Sequence, residues 1–225
     1  MSLVKLDKIT KSYRFGQDIF SALRDVTLSL AGQELVILSG PSCSGKTTLL
    51  NILGLVNRPS SGRVFYRDQE LTNLSEVKLV EYRRREIGFL GKAGNLLPSL
   101  TVAENIQLPL QLLARPERQA VTNELLGTVG LSGFANKMPA QLNLSQRLRA
   151  ALAQALVKEP KLILIDEPTA FLDLTNGQSF MKLVQEFKQA SKVTVVVSTT
   201  DPMVMAYGER IIRLYDGRIE ADERC

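Results

Sequence analysis

Residues 34–50 read ELVILSGPSCSGKTTLL. An apolar run, 35–38, enters a loop of small residues, and Gly45-Lys46-Thr47 opens a helix. Gly40, Gly45, Lys46 and Thr47 fill the pattern G-x-x-x-x-G-K-[ST]. A phosphate carries dense negative charge that must be held without its water. Backbone N–H groups of a curled loop, and the N-terminus of the helix after it, supply donors and a partial positive charge. Glycines let the backbone come close, Lys46 adds a full charge, and Thr47 offers a hydroxyl to Mg²⁺. The segment Gly40, Pro41, Ser42, Cys43, Ser44, Gly45, Lys46, Thr47 and Thr48 is therefore expected to hold the phosphates of a nucleotide.

Outward from that segment, strand and helix patterns alternate. Residues 3–9 and 22–30 alternate apolar and polar, as half-buried strands do. Tyr13 and Phe15 fall in a polar loop between them, either as core anchors or as a platform for an adenine ring; the pattern does not choose. A helix follows over 47–54, a short strand over 63–66, and a helix over 75–85 with Ser75 at its start. Arg83-Arg84-Arg85 then falls at a helix C-terminus, where cations suit the dipole, and no nucleic-acid partner is expected from it. Residues 86–90 form a strand, 101–113 show helical patterning with a break at Pro109, and 116–129 form an amphipathic helix. Over 145–157, Leu148, Ala151, Leu152, Ala155 and Leu156 make one core-facing stripe. Residues 162–165 and 193–197 are continuous apolar runs, the mark of parallel strands buried on both faces. Helices are expected at 176–190 and 202–207, and Asp216-Gly217 reads as a hairpin turn near the end. The sum is an α/β fold with a parallel sheet. The helical block 92–157 interrupts the core strands and should form its own lobe, leaving a core lobe of about 1–91 and 158–225 in a single domain.

Ligands of open parallel sheets bind at the carboxyl ends of the strands. Asp166-Glu167 ends the strand 162–165, and an acid there is costly unless it meets a cation. Asp166 is assigned to a bound Mg²⁺ together with Thr47, and Glu167 to polarising an attacking water. The chain has 225 residues and no histidine, which excludes histidine bases and histidine metal ligands. Its two cysteines, Cys43 and Cys225, build no disulfide framework and fit a reducing compartment. No apolar run is long enough to cross a bilayer and the N-terminus lacks a signal-peptide core, so membrane attachment is expected through a partner.

Four stretches carry a resemblance: GPSCSGKTTLLNILG, IGFLGKAGNLLPSLTVAENIQLPL, PAQLNLSQRLRAALAQALVKEPKLILIDEPTAFLD and IIRLYDGRI. With them the chain resembles, nearly end to end, the ATP-binding cassette (ABC) transporter ATPases. It is most similar to the branch that powers lipoprotein release, macrolide export and septum-associated complexes. The resemblance implies a P-loop NTPase core, an N-terminal antiparallel β subdomain and an inserted α-helical lobe. It implies ATP and Mg²⁺ as ligands. It also implies a head-to-tail dimer with a second cassette, as a homodimer or a heterodimer, an integral-membrane permease subunit as partner, and a place on the cytoplasmic face of the membrane. Tyr13 would stack on adenine, Asp173 would reach across the dimer, and residues near 100–109 would face the permease.

The departures from the family pattern are as specific as the match. The signature LSGGQ stands here as Leu142-Asn143-Leu144-Ser145-Gln146, without its glycines, and Asn143, Leu144, Ser145 and Gln146 would face the second cassette. The glutamine that senses Mg²⁺ aligns with Lys92, whose ammonium has only donors. The histidine that meets the γ-phosphate aligns with Thr200. Cys43 replaces a loop glycine, at a cost of roughly 1–2 kcal/mol if the position needs a positive φ. It reads as a small loop filler, with a reactive-thiol role as the sharper alternative. The expected function is an ATP-binding subunit coupling ATP binding and hydrolysis to transport or extraction of a substrate, with impaired or asymmetric hydrolysis. The alternative is a non-hydrolysing regulatory or structural module docked on a membrane protein.

Overall fold

The computed structural model describes residues 2–114 and 118–225. In chain order the elements are β1 (Ser2–Phe15), β2 (Asp18–Ala31), β3 (Leu35–Ser39), α1 (Lys46–Leu53), β4 (Ser61–Tyr66), β5 (Gln69–Glu70), α2 (Glu76–Glu86) and β6 (Ile87–Leu90). Then come α3 (Val102–Leu112), α4 (Arg118–Thr128), α5 (Leu144–Leu156), β7 (Leu162–Asp166), α6 (Leu174–Ser191), β8 (Thr194–Thr199), α7 (Pro202–Met205), β9 (Arg210–Tyr215) and β10 (Arg218–Arg224).

Two sheets result. An antiparallel one has the order β2-β1-β4-β5, and a six-stranded one has the order β10-β9-β3-β8-β7-β6. In the larger sheet β9, β3, β8, β7 and β6 run parallel, and β10 folds back antiparallel on β9. Neighbouring residues of each central strand serve different cores. Leu35, Ile37, Ile163, Ile165, Val195 and Val197 pack with helices α3 to α6. Val36, Leu38, Leu162, Leu164 and Val196 pack with α1 and the small sheet. Each such side chain, fully buried, contributes about 1.5–3 kcal/mol of transfer free energy. That is why these runs are apolar at every position instead of alternating.

Two elements differ from what the sequence pattern predicts. The first strand runs on to Phe15, so Tyr13 lies in a strand and not in a polar loop. The register shifts between Leu6 and Ile9 and between Ile9 and Lys11, and Lys8 has φ +51°. These bulges break the alternation, so the periodic signal stops while the strand continues. The second difference is Pro109, which lies inside α3 without ending it. A proline removes the N–H that would bond the carbonyl four residues earlier, here that of Asn105. Gln154 of α5 supplies the missing donor: its Nε2 reaches Asn105 O at 3.1 Å. The helix expected from 116 begins outside the described residues; its described part is α4. Ser75 occupies the N-cap of α2, but its side chain makes no capping bond.

Candidate active site

The loop between β3 and α1 has a left-handed backbone at three places. Gly40, Cys43 and Gly45 have φ of +148°, +63° and +104°. At Gly45 a Cβ would stand 2.4 Å from the Ala22 carbonyl oxygen, and at Gly40 one would stand 2.1 Å from that of Leu214. Only glycine fits either place. Cys43 has the conformation anticipated for the position, and its side chain is exposed.

The curled loop delivers Lys46 to the first turn of α1, 5% exposed. Its Nζ donates to Gly40 O (2.8 Å) and Pro41 O (2.9 Å) and lies 3.5 Å from Glu167 Oε1. No side chain caps α1, so the amides of its first turn remain for a ligand. The Ser44 hydroxyl is buried in the same loop without a protein partner. A buried polar atom of this kind is costly unless a ligand satisfies it. The loop therefore fits a phosphate group.

Thr47 Oγ1 lies 3.2 and 3.0 Å from the two oxygens of Asp166. Asp166 is itself buried at the end of β7. Sequence reasoning missed what holds it. Ser198 is its register partner on β8, and the Ser198 hydroxyl donates to Asp166 Oδ1 at 2.5 Å. The Glu167 N–H donates in turn to Ser198 O (3.0 Å) and Oγ (3.1 Å), while Glu167 adopts φ +49°. One serine thus aligns both carboxylates. A hydroxyl and a carboxylate are hard oxygen donors of the kind Mg²⁺ accepts, with phosphate and water completing its shell. These two residues fit that ion.

A cavity of about 330 Å³ joins the pieces: Cys43, Lys46, Thr47, Glu167, Lys92 and Phe20 all line it. Lys92 reaches it from a tight turn closed by Gly94 N–H to Gly91 O (3.0 Å). Asn95 stitches that turn, accepting from Gly91 N and donating to Phe89 O. Phe20, 51% exposed, was not singled out in the sequence. It stands opposite Tyr13 in the β1–β2 register, which places both rings on one face of the hairpin. Tyr13 lies outside the lining; its hydroxyl accepts from Asn57 Nδ2 (3.1 Å) and Lys11 Nζ sits 5.2 Å from its ring centre. Thr200 is exposed and lines a different depression, with Gly40, Pro41 and Tyr215.

The residues expected at the second-cassette surface lie at two other helix N-termini. Asn143 caps α5 in a closed reciprocal pair: Gln146 N–H donates to Asn143 Oδ1 (2.9 Å) and Asn143 N–H to Gln146 Oε1 (3.0 Å). Leu144 is half-buried against the helical core, and Ser145 follows it in the first turn. Asp173 caps α6, accepting from the N–H and the side-chain amide of Asn176, which hold its carboxyl below the usual range.

A strand, a glycine loop and a helix beside a strand-end carboxylate pair define a phosphate-loop nucleotide-binding protein. Comparison with known proteins gives the family. The ABC transporter family matches residues 23–170. The chain belongs to that family and is an ABC ATPase cassette that binds ATP. It is 40% identical to MJ0796 of Methanocaldococcus jannaschii, an uncharacterized ABC transporter ATP-binding protein, over 99% of this chain and 97% of that one. A structure of that cassette, a dimer in a post-hydrolysis state bound to ADP and Pi, superposes with a TM-score of 0.92 over 98% of both chains. The lipoprotein-releasing system ATP-binding protein LolD of Geobacter metallireducens is 35% identical over 98% of this chain and 99% of its own. The macrolide export ATP-binding/permease protein MacB 1 of Yersinia pestis is 38% identical, and the chain spans 34% of its length.

Proposed function

We propose that this chain is the ATP-binding subunit of a membrane transporter, coupling ATP binding and hydrolysis to transport or extraction of a substrate, and that its two half-sites are unequal. The observation that carries the inequality is the start of α5, where Leu144 and Ser145 stand in place of the two glycines inside the closed Asn143–Gln146 pair. A helix N-terminus receives a phosphate with unspent donors and a close backbone. At α5 the Gln146 amide and the Asn143 side chain satisfy each other, and Leu144 brings an apolar side chain where the family has glycine. The Lys46 half of the site keeps its phosphate loop, Thr47, Asp166 and Glu167.

In this reading Gly40 to Thr48 bind the triphosphate, Tyr13 meets adenine, and Thr47 with Asp166 hold Mg²⁺. When bound, Mg²⁺ neutralises charge on the phosphate oxygens. Glu167 leaves Lys46 when phosphate takes that ammonium, and its carboxylate then orients the attacking water. Asn143, Leu144, Ser145, Gln146 and Asp173 face a second cassette, which supplies an intact signature to this chain's phosphate loop. Thr200 offers the γ-phosphate a hydroxyl without a charge. The core lobe of about 1–91 and 158–225 binds nucleotide, and the helical lobe of about 92–157 faces the second cassette.

The permease partner is supported by a groove of about 310 Å³. Val56, Val80, Phe89 and Pro109 give it an apolar lining, and Arg83, Arg84 and Lys158 line it with charge. Such a groove suits an apolar segment carrying acidic residues, and in this reading that partner holds the chain at the cytoplasmic face of the membrane. No helix among the described residues is long and apolar enough to cross a membrane. The alternative reading, a module that binds ATP without turning it over, draws on Lys92 and Thr200. ATPase rates of the parent and of Glu167→Gln, each alone and with the membrane partner, separate the two. A rate in the parent that Glu167→Gln abolishes supports the motor. A background rate in every sample supports the module.

A further inference from the structure

We propose that Lys92 is a second phosphate-binding cation, through which this site holds ATP with little dependence on Mg²⁺. The proposal rests on ATP occupying the Lys46 loop.

Two lysines and one glutamate line the cavity. Lys46 is already engaged by two loop carbonyls and Glu167. Lys92 forms no ion pair with any carboxylate among the described residues, although it lines the same cavity. Its placement is built. The Gly91–Gly94 turn and the two Asn95 bonds fix the backbone that carries it. A flexible surface lysine needs no such bracing.

Thr47 and Asp166 are the groups the protein itself offers a divalent cation here, and phosphate and water would complete the shell. No group of three or more His, Cys, Asp or Glu side chains among the described residues can hold a metal. Asp166, the strand-end carboxylate beside Thr47, already accepts from the Thr47 and Ser198 hydroxyls. An ammonium has no lone pair to give a metal, and its charge repels one. The same charge attracts phosphate oxygens, and ionised hydrogen bonds are the strong ones. Lys92 therefore adds to the site what a metal would otherwise add, positive charge facing the outer phosphates.

Equilibrium binding of ATP by the full chain, in Mg²⁺ and in EDTA, tests this. The parent should bind ATP within about threefold in the two buffers, and Lys92→Gln should bind about tenfold or more weakly in EDTA than in Mg²⁺. Lys92→Arg keeps the charge and should retain metal-free binding. Lys92 is exposed, so thermal unfolding should match in all three. Equal dependence on Mg²⁺ in the parent and Lys92→Gln overturns the Lys92 proposal alone. No ATP binding by the parent in either buffer sinks the nucleotide reading, and this proposal with it.

Discussion

Two helix N-termini carry this molecule's chemistry, and they are finished differently. α1 begins at Gly45 with no side-chain cap, a left-handed residue and a buried Ser44 hydroxyl that nothing in the protein bonds. α5 begins at Asn143 with a reciprocal cap between Asn143 and Gln146. Capping stabilises a helix because it spends orphan donors. An uncapped start forgoes that stability and keeps its donors for a ligand. The contrast separates a half-site kept open for a phosphate from one closed on itself. The glycines missing at the sequence level are positions 144 and 145, the two residues enclosed between the cap partners Asn143 and Gln146.

The contrast can be broken from either side. Gly45→Ala should have the largest effect. The added Cβ meets the Ala22 carbonyl at 2.4 Å with φ at +104°, so strain and crowding together cost about 3 kcal/mol. Denaturant unfolding reads that loss, and ATP binding should disappear with it. Ser198→Ala should come next. It removes the hydroxyl that holds Asp166 and leaves a buried carboxylate oxygen short of a donor, which costs about 1–3 kcal/mol. Urea midpoints measure this, and ATPase activity should fall while metal-free ATP binding persists.

Lys158 gives a pH test at the groove. Burial lowers its pKa to about 8. Between about pH 8 and the usual lysine range the unfolded chain binds the extra proton, so folding stability should rise with pH across that window. The rise approaches about 3 kcal/mol at most. Lys158→Gln should flatten that part of the stability curve. Asn143→Ala should have the smallest effect, about 0.5–2 kcal/mol for the lost cap, read by thermal unfolding. The account also expects its ATP affinity at the Lys46 loop to match the parent's.

The parts legible in the sequence are those whose chemistry needs adjacent residues. The phosphate loop is contiguous, and Asp166-Glu167 follows its strand directly. Tertiary partners were not legible. Ser198 serves Asp166 only through the β7–β8 register, 32 positions along the chain. Gln154 excuses Pro109 from breaking α3 only because α5 packs beside it. Phe20 joins the cavity because the β1–β2 hairpin continues past its bulges. The Asn143–Gln146 cap could have been read from its spacing, since a capping box is a sequence pattern. The cap partners flank the two positions, 144 and 145, at which the glycines are missing.

The most direct test is the ATPase rate of the assembled transporter with one substitution at each half-site of this chain. The account predicts that Glu167→Gln removes nearly all turnover, while Asn143→Ala changes it by less than about twofold, because a closed cap contributes little to catalysis. Equal losses from the two substitutions would contradict it, since the α5 terminus would then be as much a part of the reacting site as the phosphate loop.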